Sequence, residues 1–341
     1  MVLKEIIEKV LSSQELTSEE AQDSMNMIMS GKVSDPQLAA FLVALRAKKE
    51  TPLEIANFVR VMREKSLKVS VSGDTLDTCG TGGDGKNSFN ISTASAFVVA
   101  ACGVKVAKHG NRAASSKCGS ADLLEALGVV VDLSPKFVEQ CIESLGIGFM
   151  FAPTFHPAMA HAVPVRKALG IRTVFNFLGP LTNPAGAERQ LLGVAFKELG
   201  SIIAETLQIL KTKHAIVVCG EEGIDEVSLS GKTYCWIVNP NTVEEITISP
   251  QDAGINASSL DTIVGGNPEE NAKMCLEVLN NKSGPVLNAV VLNSAVALLA
   301  AEVTEDLREA VNFSKEVLAN GKALEKLNLF INLTQKLSKM N

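Results

Sequence analysis

Hydrophobic positions in the first 70 residues recur at helical spacing, and polar caps punctuate them at regular intervals. Thr17 with Glu20, and Thr51 with Glu54, each precede an apolar-periodic stretch. In that pattern a hydroxyl and a carboxylate reciprocally satisfy the free backbone amides at a helix start, and each cap contributes about 1 kcal/mol. Pro52 falls on a first helical position, Asp35-Pro36 opens another helix in the same way, and Gly31 ends the second. Four short helices are therefore predicted, forming a helical domain over residues 1–70. From residue 74 the period changes. Short β-branched or apolar runs at 75–79, 104–108, 129–132, 147–151, 215–219, 234–238 and 290–292 read as strands, most separated by enough chain for a crossover helix. Residues 71–341 are thus expected to form an α/β domain with a mostly parallel central sheet beside the small all-helical N-terminal domain. A proline-rich stretch near 155–190, with His156-Pro157, Val163-Pro-Val-Arg166 and Gly179-Pro180, is expected to return to the helices. The final helix, 321–339, carries periodic leucines predicted to pack on the sheet.

Composition narrows the class. With 341 residues, 46% apolar and 21% charged, the chain can bury a sizeable core, and disorder, collagen and coiled coil are excluded. The net charge of −6 disfavours general binding to nucleic acid or an anionic membrane, so any anion site must be local. Seven cysteines (Cys79, Cys102, Cys118, Cys141, Cys219, Cys235, Cys275) are odd in number, scattered, and without a Cys-x-x-Cys pair. They read as reduced thiols of a cytoplasmic protein. The first residues mix charge into a helical pattern unlike a signal peptide, and no apolar run approaches the roughly 18 residues of a membrane span.

Charge is unevenly distributed along the chain. No acidic residue lies between Asp84 and Asp122, whereas Lys86, Lys105, Lys108, Arg112 and Lys117 do. The front of this span is Asp77-Thr-Cys-Gly80-Thr-Gly-Gly83-Asp84-Gly85, followed by Asn90-Ile-Ser92-Thr93 at the start of an Ala-rich helix. Glycines let backbone amides turn inward and a helix N-terminus adds partial positive charge, so the pair makes an anion cradle suited to phosphate. Gly80, Gly82 and Gly85 also satisfy G-x-G-x-x-G. A dinucleotide fold, however, wants a helix directly after the glycines and an acid about 20 positions on, where Lys105 and Lys108 stand. A glycine turn without ligand is the remaining alternative. The second piece, Lys108-His-Gly-Asn-Arg112-Ala-Ala-Ser115-Ser116-Lys117-Cys118-Gly-Ser120, packs cations, hydroxyls and amides into a loop able to wrap several phosphate oxygens. A solvated basic loop would carry fewer small residues.

Together with Arg166, Gly179-Pro-Leu-Thr-Asn-Pro184 and Asp225-Glu226, these motifs resemble the anthranilate phosphoribosyltransferase family, over essentially the whole chain. The resemblance implies transfer of phosphoribosyl from 5-phosphoribosyl-1-diphosphate to the amine of anthranilate, in a homodimer that uses magnesium, two ions per subunit. It assigns the sugar donor to Gly80, Gly83, Asp84, Ser88, Asn90, Ile91, Ser92, Thr93, Lys108, His109, Gly110, Asn111, Arg112, Ala113, Ala114, Ser115, Ser116 and Ser120. Anthranilate falls to Gly80, Asn111 and Arg166, and metal to Ser92, Asp225 and Glu226. Lys108 and Arg166 would contribute electrostatically and by positioning. The chain departs from the family pattern at Cys118, where serine is expected, and at Ala113 and Ala114, where a bulkier residue is usual. Two other readings compete. A pyrimidine nucleoside phosphorylase would carry Lys-x-Ser-Gly-Arg-Gly in place of Lys108-His-Gly-Asn-Arg112. A non-catalytic nucleic-acid-binding relative would lack Asp225-Glu226 and be basic, with more aromatic platforms than Tyr234 and Trp236.

Overall fold

The structure, a computed structural model, describes residues 3–113 and 116–340 of the chain. Four helices open it: α1 (Leu3–Leu11), α2 (Ser18–Met29), α3 (Asp35–Lys48) and α4 (Pro52–Lys65). Capping boxes at Thr17 and Thr51 form as the spacing predicts. The cap of α3 is Ser34, paired with Gln37, one residue before the predicted Asp35. Glu54 serves beyond its own cap, because its buried carboxylate also takes the Leu16 amide at 2.8 Å and Lys48 at 2.8 Å, tying α4 to α3 and to the segment that leads into α2.

The rest alternates: β1 (Leu76–Gly80), α5 (Ile91–Ala101), β2 (Val106–Gly110), α6 (Ser120–Ala126), α7 (Pro135–Leu145), β3 (Ile147–Phe151), α8 (Ala152–Phe155), α9 (Val163–Leu169), α10 (Phe175–Leu181), β4 (Arg189–Gly193), α11 (Lys197–Ile209), β5 (His214–Gly220), β6 (Thr233–Val238), β7 (Val243–Ile248), α12 (Pro268–Leu279), α13 (Pro285–Ala300), α14 (Leu307–Ala319) and α15 (Lys322–Ser338). One seven-stranded sheet runs β3-β2-β1-β4-β5-β6-β7, parallel from β3 to β5 and antiparallel at β6 and β7. The sheet alternates its apolar side chains between two cores. Leu191, Ile216 and Val218 enter a cluster with α5, α13 and α15, while Leu192, Val217 and Cys219 enter one with α1 to α4, α10 and α11. A strand's two-residue side-chain period accounts for this division.

Several expectations are corrected. Residues 129–132 run without strand pairing, and 290–292 lie inside α13. That helix is apolar on all sides because it is buried on all sides, and a short apolar run by itself cannot distinguish this from a strand. Strands β4 and β7 were not predicted. β7 is an edge strand whose Glu244 and Glu245 face water. α15 packs on α5, α7 and α14 rather than on the sheet, with Phe330 against Phe97 at 6.2 Å between ring centroids. Among the described residues no helix is long and apolar enough to cross a membrane.

Candidate active site

Ligands of open parallel sheets bind beyond the carboxyl ends of the strands where connections diverge to opposite sides. Here β1 is flanked by β2 on one side and β4 on the other, and β1, β2, β4 and β5 all end in glycine: Gly80, Gly110, Gly193 and Gly220. Close approach bears on all four, and at two of them the neighbour is Asp225. A Cβ at Gly193 would overlap the carbonyl oxygen of Asp225, and one at Gly80 would overlap its carboxylate. The 225–226 turn is therefore seated directly on the strand ends. Gly193→Ala is expected to cost about 2–3 kcal/mol by overpacking. Gly179→Ala in α10, with nothing within 4 Å of its Cβ, should leave the urea midpoint unlowered.

The loop after β1 curls back on the sheet. Thr81 donates its amide to the Gly193 carbonyl at 2.9 Å, and Gly82 donates to the Asp225 carboxylate at 2.6 Å. Farther on, Phe89 donates to the Ile263 carbonyl at 2.8 Å, and Asn87 accepts from Gly265 at 2.8 Å. Asn90 is committed to protein: its amide nitrogen holds the Cys118 carbonyl at 3.0 Å, and its oxygen receives Asn271 at 2.8 Å. It thereby joins the two predicted phosphate loops. Ile91 is buried in the core away from the cleft, whereas Ser92 and the almost fully buried Thr93 line it. Ser92 donates its amide to Glu226 at 3.1 Å.

Lys108 is buried and donates to the Thr78 carbonyl, with Ser92 Oγ at 3.4 Å. Burial lowers its pKa, opposed by the nearby carboxylate of Asp77. Asp77, pushed up to about 6 by burial, accepts from the His109 amide at 3.2 Å and from Asn183 at 2.7 Å. Burial, with repulsion from His156, drives the pKa of His109 down to about 3, so its ring is neutral. The two imidazoles stand 5.0 Å apart, and neither Nε2 has a hydrogen-bond partner among the described residues.

The predicted phosphate loop is shaped by a carboxylate. Asp122 accepts the amides of Ala113 at 2.9 Å and Gly119 at 2.8 Å, closing the turn, while Ser120 donates to the Asn111 carbonyl at 3.2 Å. Asn111 and Ser116 are exposed at its rim. Arg112 forks onto Glu125, also reaches Asp122 at 3.3 Å, and sits over Phe151. Lys105 stands just before β2, at the end of the sheet away from the site, bonding Ser72 and Glu143. The charge asymmetry of the sequence is thus partly cancelled in space. Ala114 and Ser115 lie outside the described residues.

Opposite Lys108 stand Asp225 and Glu226. Burial and repulsion from Asp84 raise Asp225 to about 7; burial and repulsion from Asp225 raise Glu226 to about 8. Asp84 leaves Oδ2 buried without a partner. Carboxylates crowded and under-satisfied in this way fit a hard divalent cation that completes its shell with water and phosphate. Among the described residues no three His, Cys, Asp or Glu side chains close a cage by themselves. Asn293 of α13 holds the turn from below, accepting the Val227 amide at 2.8 Å and donating to its carbonyl at 3.1 Å.

Two cavities meet here. A polar cleft of about 370 Å³ runs along the 80–93 and 108–120 segments to Asp225 and Glu226. A larger, mainly apolar chamber of about 620 Å³ is walled by Met62, Pro153, Pro157, Met159, Val163, Phe175 and Pro180. Gly80, His109, Asn111 and Arg166 line both. Arg166, half-buried over Phe175 at 5.5 Å, has no carboxylate partner among the described residues, and burial lowers its pKa. Sequence reasoning includes Asp77, His156 and Asn183 within its motifs but gives them no part in the site, and it misses Asn293 altogether, because their partners Lys108, His109 and the 227 turn are distant along the chain.

The family model described as glycosyl transferase family, a/b domain, matches residues 72–324, and its helical bundle domain matches 4–66. The chain is 49% identical to the anthranilate phosphoribosyltransferase of Petrotoga mobilis over 97% of both chains. The crystal structure of the Thermus thermophilus anthranilate phosphoribosyltransferase superposes with a TM-score of 0.91 at 44% identity, covering 96% of this chain and 99% of that one. The enzyme from Saccharomyces cerevisiae in complex with PRPP (5-phosphoribosyl-1-diphosphate) and Mg gives 0.91 at 30% identity, covering 98% of each. A second yeast structure, in complex with 4-fluoroanthranilate, gives 0.89 at 30% identity with the same coverage. Matched along both its helical and its α/β part, the chain belongs to the glycosyl transferase family of a helical bundle joined to an a/b domain, and within it to the anthranilate phosphoribosyltransferases.

Proposed function

We propose that this chain joins anthranilate to C1 of 5-phosphoribosyl-1-diphosphate with release of diphosphate, the second step from chorismate toward tryptophan. The observation that carries the reading is the meeting of a polar, amide-lined cleft and an apolar chamber at Gly80, His109, Asn111 and Arg166. One suits a polyanionic sugar, the other a flat aromatic ring, and the junction is where the new bond forms.

The donor's phosphates would lie against the 80–93 turn, the Ser92 hydroxyl, Lys108 and the 108–120 loop, including Ser88, Gly110, Ala113, Ser116 and Ser120. Arg112, already paired, acts there by shaping the loop. Asp84, Asp225 and Glu226, with Ser92, would hold magnesium, two ions per subunit in this reading. Bound magnesium neutralises the diphosphate as a leaving group. Anthranilate's amine is neutral at pH 7 and attacks with its lone pair as the C1–oxygen bond breaks through an oxocarbenium-like sugar, inverting C1; the proton that the new, strongly acidic arylammonium sheds passes to the departing diphosphate or to water. No strong base is needed, and His109, held neutral, offers a hydrogen bond rather than proton abstraction. Arg166 would fork onto the anthranilate carboxylate. Rate enhancement then comes from positioning and from Lys108, backbone amides and the magnesium that the carboxylates would hold around the departing diphosphate. The same reading includes a homodimer in the cytoplasm; the seven free thiols are in keeping with a reducing compartment.

Anthranilate fluorescence should disappear only when donor and magnesium are both supplied. Consumption without donor, or thymidine phosphorolysis in its place, would refute the assignment.

A further inference from the structure

The glycine turn after β1 is held from two sides. Its Gly82 amide donates to Asp225 at 2.6 Å, and its Gly82 carbonyl accepts from the guanidinium of Arg172 at 2.7 Å. Arg172 lies between α9 and α10, in the segment that packs with the helical domain. Its own carbonyl receives Arg46 of α3 at 2.8 Å, and its guanidinium lies over the Phe196 ring, 4.7 Å from the centroid. Gly83 is pressed against the same guanidinium so closely that a Cβ would overlap Nη2. A planar cation stacked on a ring and donating to a carbonyl is a rigid brace, and the flexible point charge of lysine is not its equivalent.

We infer that Arg172 is a positioning residue for the sugar-donor and magnesium site: it clamps the Gly82 peptide from the helical side so that this loop stays seated on Asp225. The inference rests on the reaction proposed above. It separates two arginines six positions apart in one segment. Arg166 faces both substrate cavities, whereas Arg172 lines a different hollow, with Arg46, Thr81 and Phe196, and reaches the site only through the loop. Losing the brace frees a loop with left-handed backbone at Gly82, Gly83 and Gly85, and ordering it again on the donor then falls to binding.

The test measures steady-state constants for the full-length wild type, Arg172→Ala and Arg172→Lys, with hydrogen exchange over residues 80–89 in the absence of ligands. For Arg172→Ala the donor KM and the half-saturating magnesium concentration should each rise about 10-fold, the size expected for one lost charge-assisted hydrogen bond. The anthranilate KM should stay within about twofold. Exchange in the loop should accelerate, and Arg172→Lys should recover part of the donor affinity. Unchanged donor and magnesium constants with unchanged exchange overturn the inference, as does an equal rise in all three constants. If Arg172→Ala does not fold, Arg172→Lys decides by the same split between donor and anthranilate. A wild type without turnover defeats the proposed reaction instead, and loop exchange still reports on the brace.

Discussion

Asp225→Asn combined with Glu226→Gln is expected to lower turnover by about 100-fold or more while making the ligand-free chain more stable in alkaline buffer. The activity loss follows from removing the two anionic groups that crowd the cleft and fit a divalent cation. The stability gain follows from the same crowding. Folding raises Asp225 to about 7 and Glu226 to about 8, against roughly 3.9 and 4.3 for ordinary side chains. Between about pH 4 and 8 the folded state therefore holds more protons than the unfolded state. Stability is greatest below the ordinary carboxylate range and is lost as pH rises through the folded values. The neutral amides carry no such penalty, so the variant's advantage should reach about 2–4 kcal/mol near pH 8.5 and shrink toward pH 5. Scanning calorimetry at both pH values without metal measures it. A variant that melts below the wild type at pH 8.5, or by a pH-independent margin, would show that these carboxylates are not held at a cost. Magnesium should raise the melting temperature of the wild type only.

Arg166→Ala is expected to raise the anthranilate KM by about 100-fold, the range measured when one member of a buried charge pair is removed, and to leave the donor KM within about threefold. The guanidinium lies where both cavities meet, is half-buried over Phe175, and has no carboxylate of its own among the described residues. Arg166→Lys should recover only a fraction, because an ammonium cannot present two parallel donors. Equal changes in both Michaelis constants would remove Arg166 from the anthranilate end of the site. Against Arg172, whose variants should weaken donor and metal, the pair forms a crossed test of how the two substrates divide the cavity.

Whatever rests on hydrogen bonds between near neighbours could be read along the chain. Thr17, Thr51 and Gly31 declare helix ends because their partners lie within a few positions, and strands at 147–151, 215–219 and 234–238 were legible from β-branched runs. The motifs later seen lining the polar cleft were legible for a similar reason: glycine, hydroxyl and lysine crowd into two short loops. The error at 290–292 arose because a wholly buried helix has no polar face to betray its period. Edge strand β7 escaped because half of its residues face water.

The sequence by itself determined the capped helices, the alternation of strand and helix, and the two loops with their small residues and cations. Only the tertiary structure decided which charges remain available. It set Glu125 on Arg112 and Glu143 on Lys105, brought Asp77 beside Lys108, and carried Asp225 across the sheet to the Gly82 amide. Electrostatic energy depends on distance through space and on the water excluded along the way, and neither quantity is ordered by position along a chain.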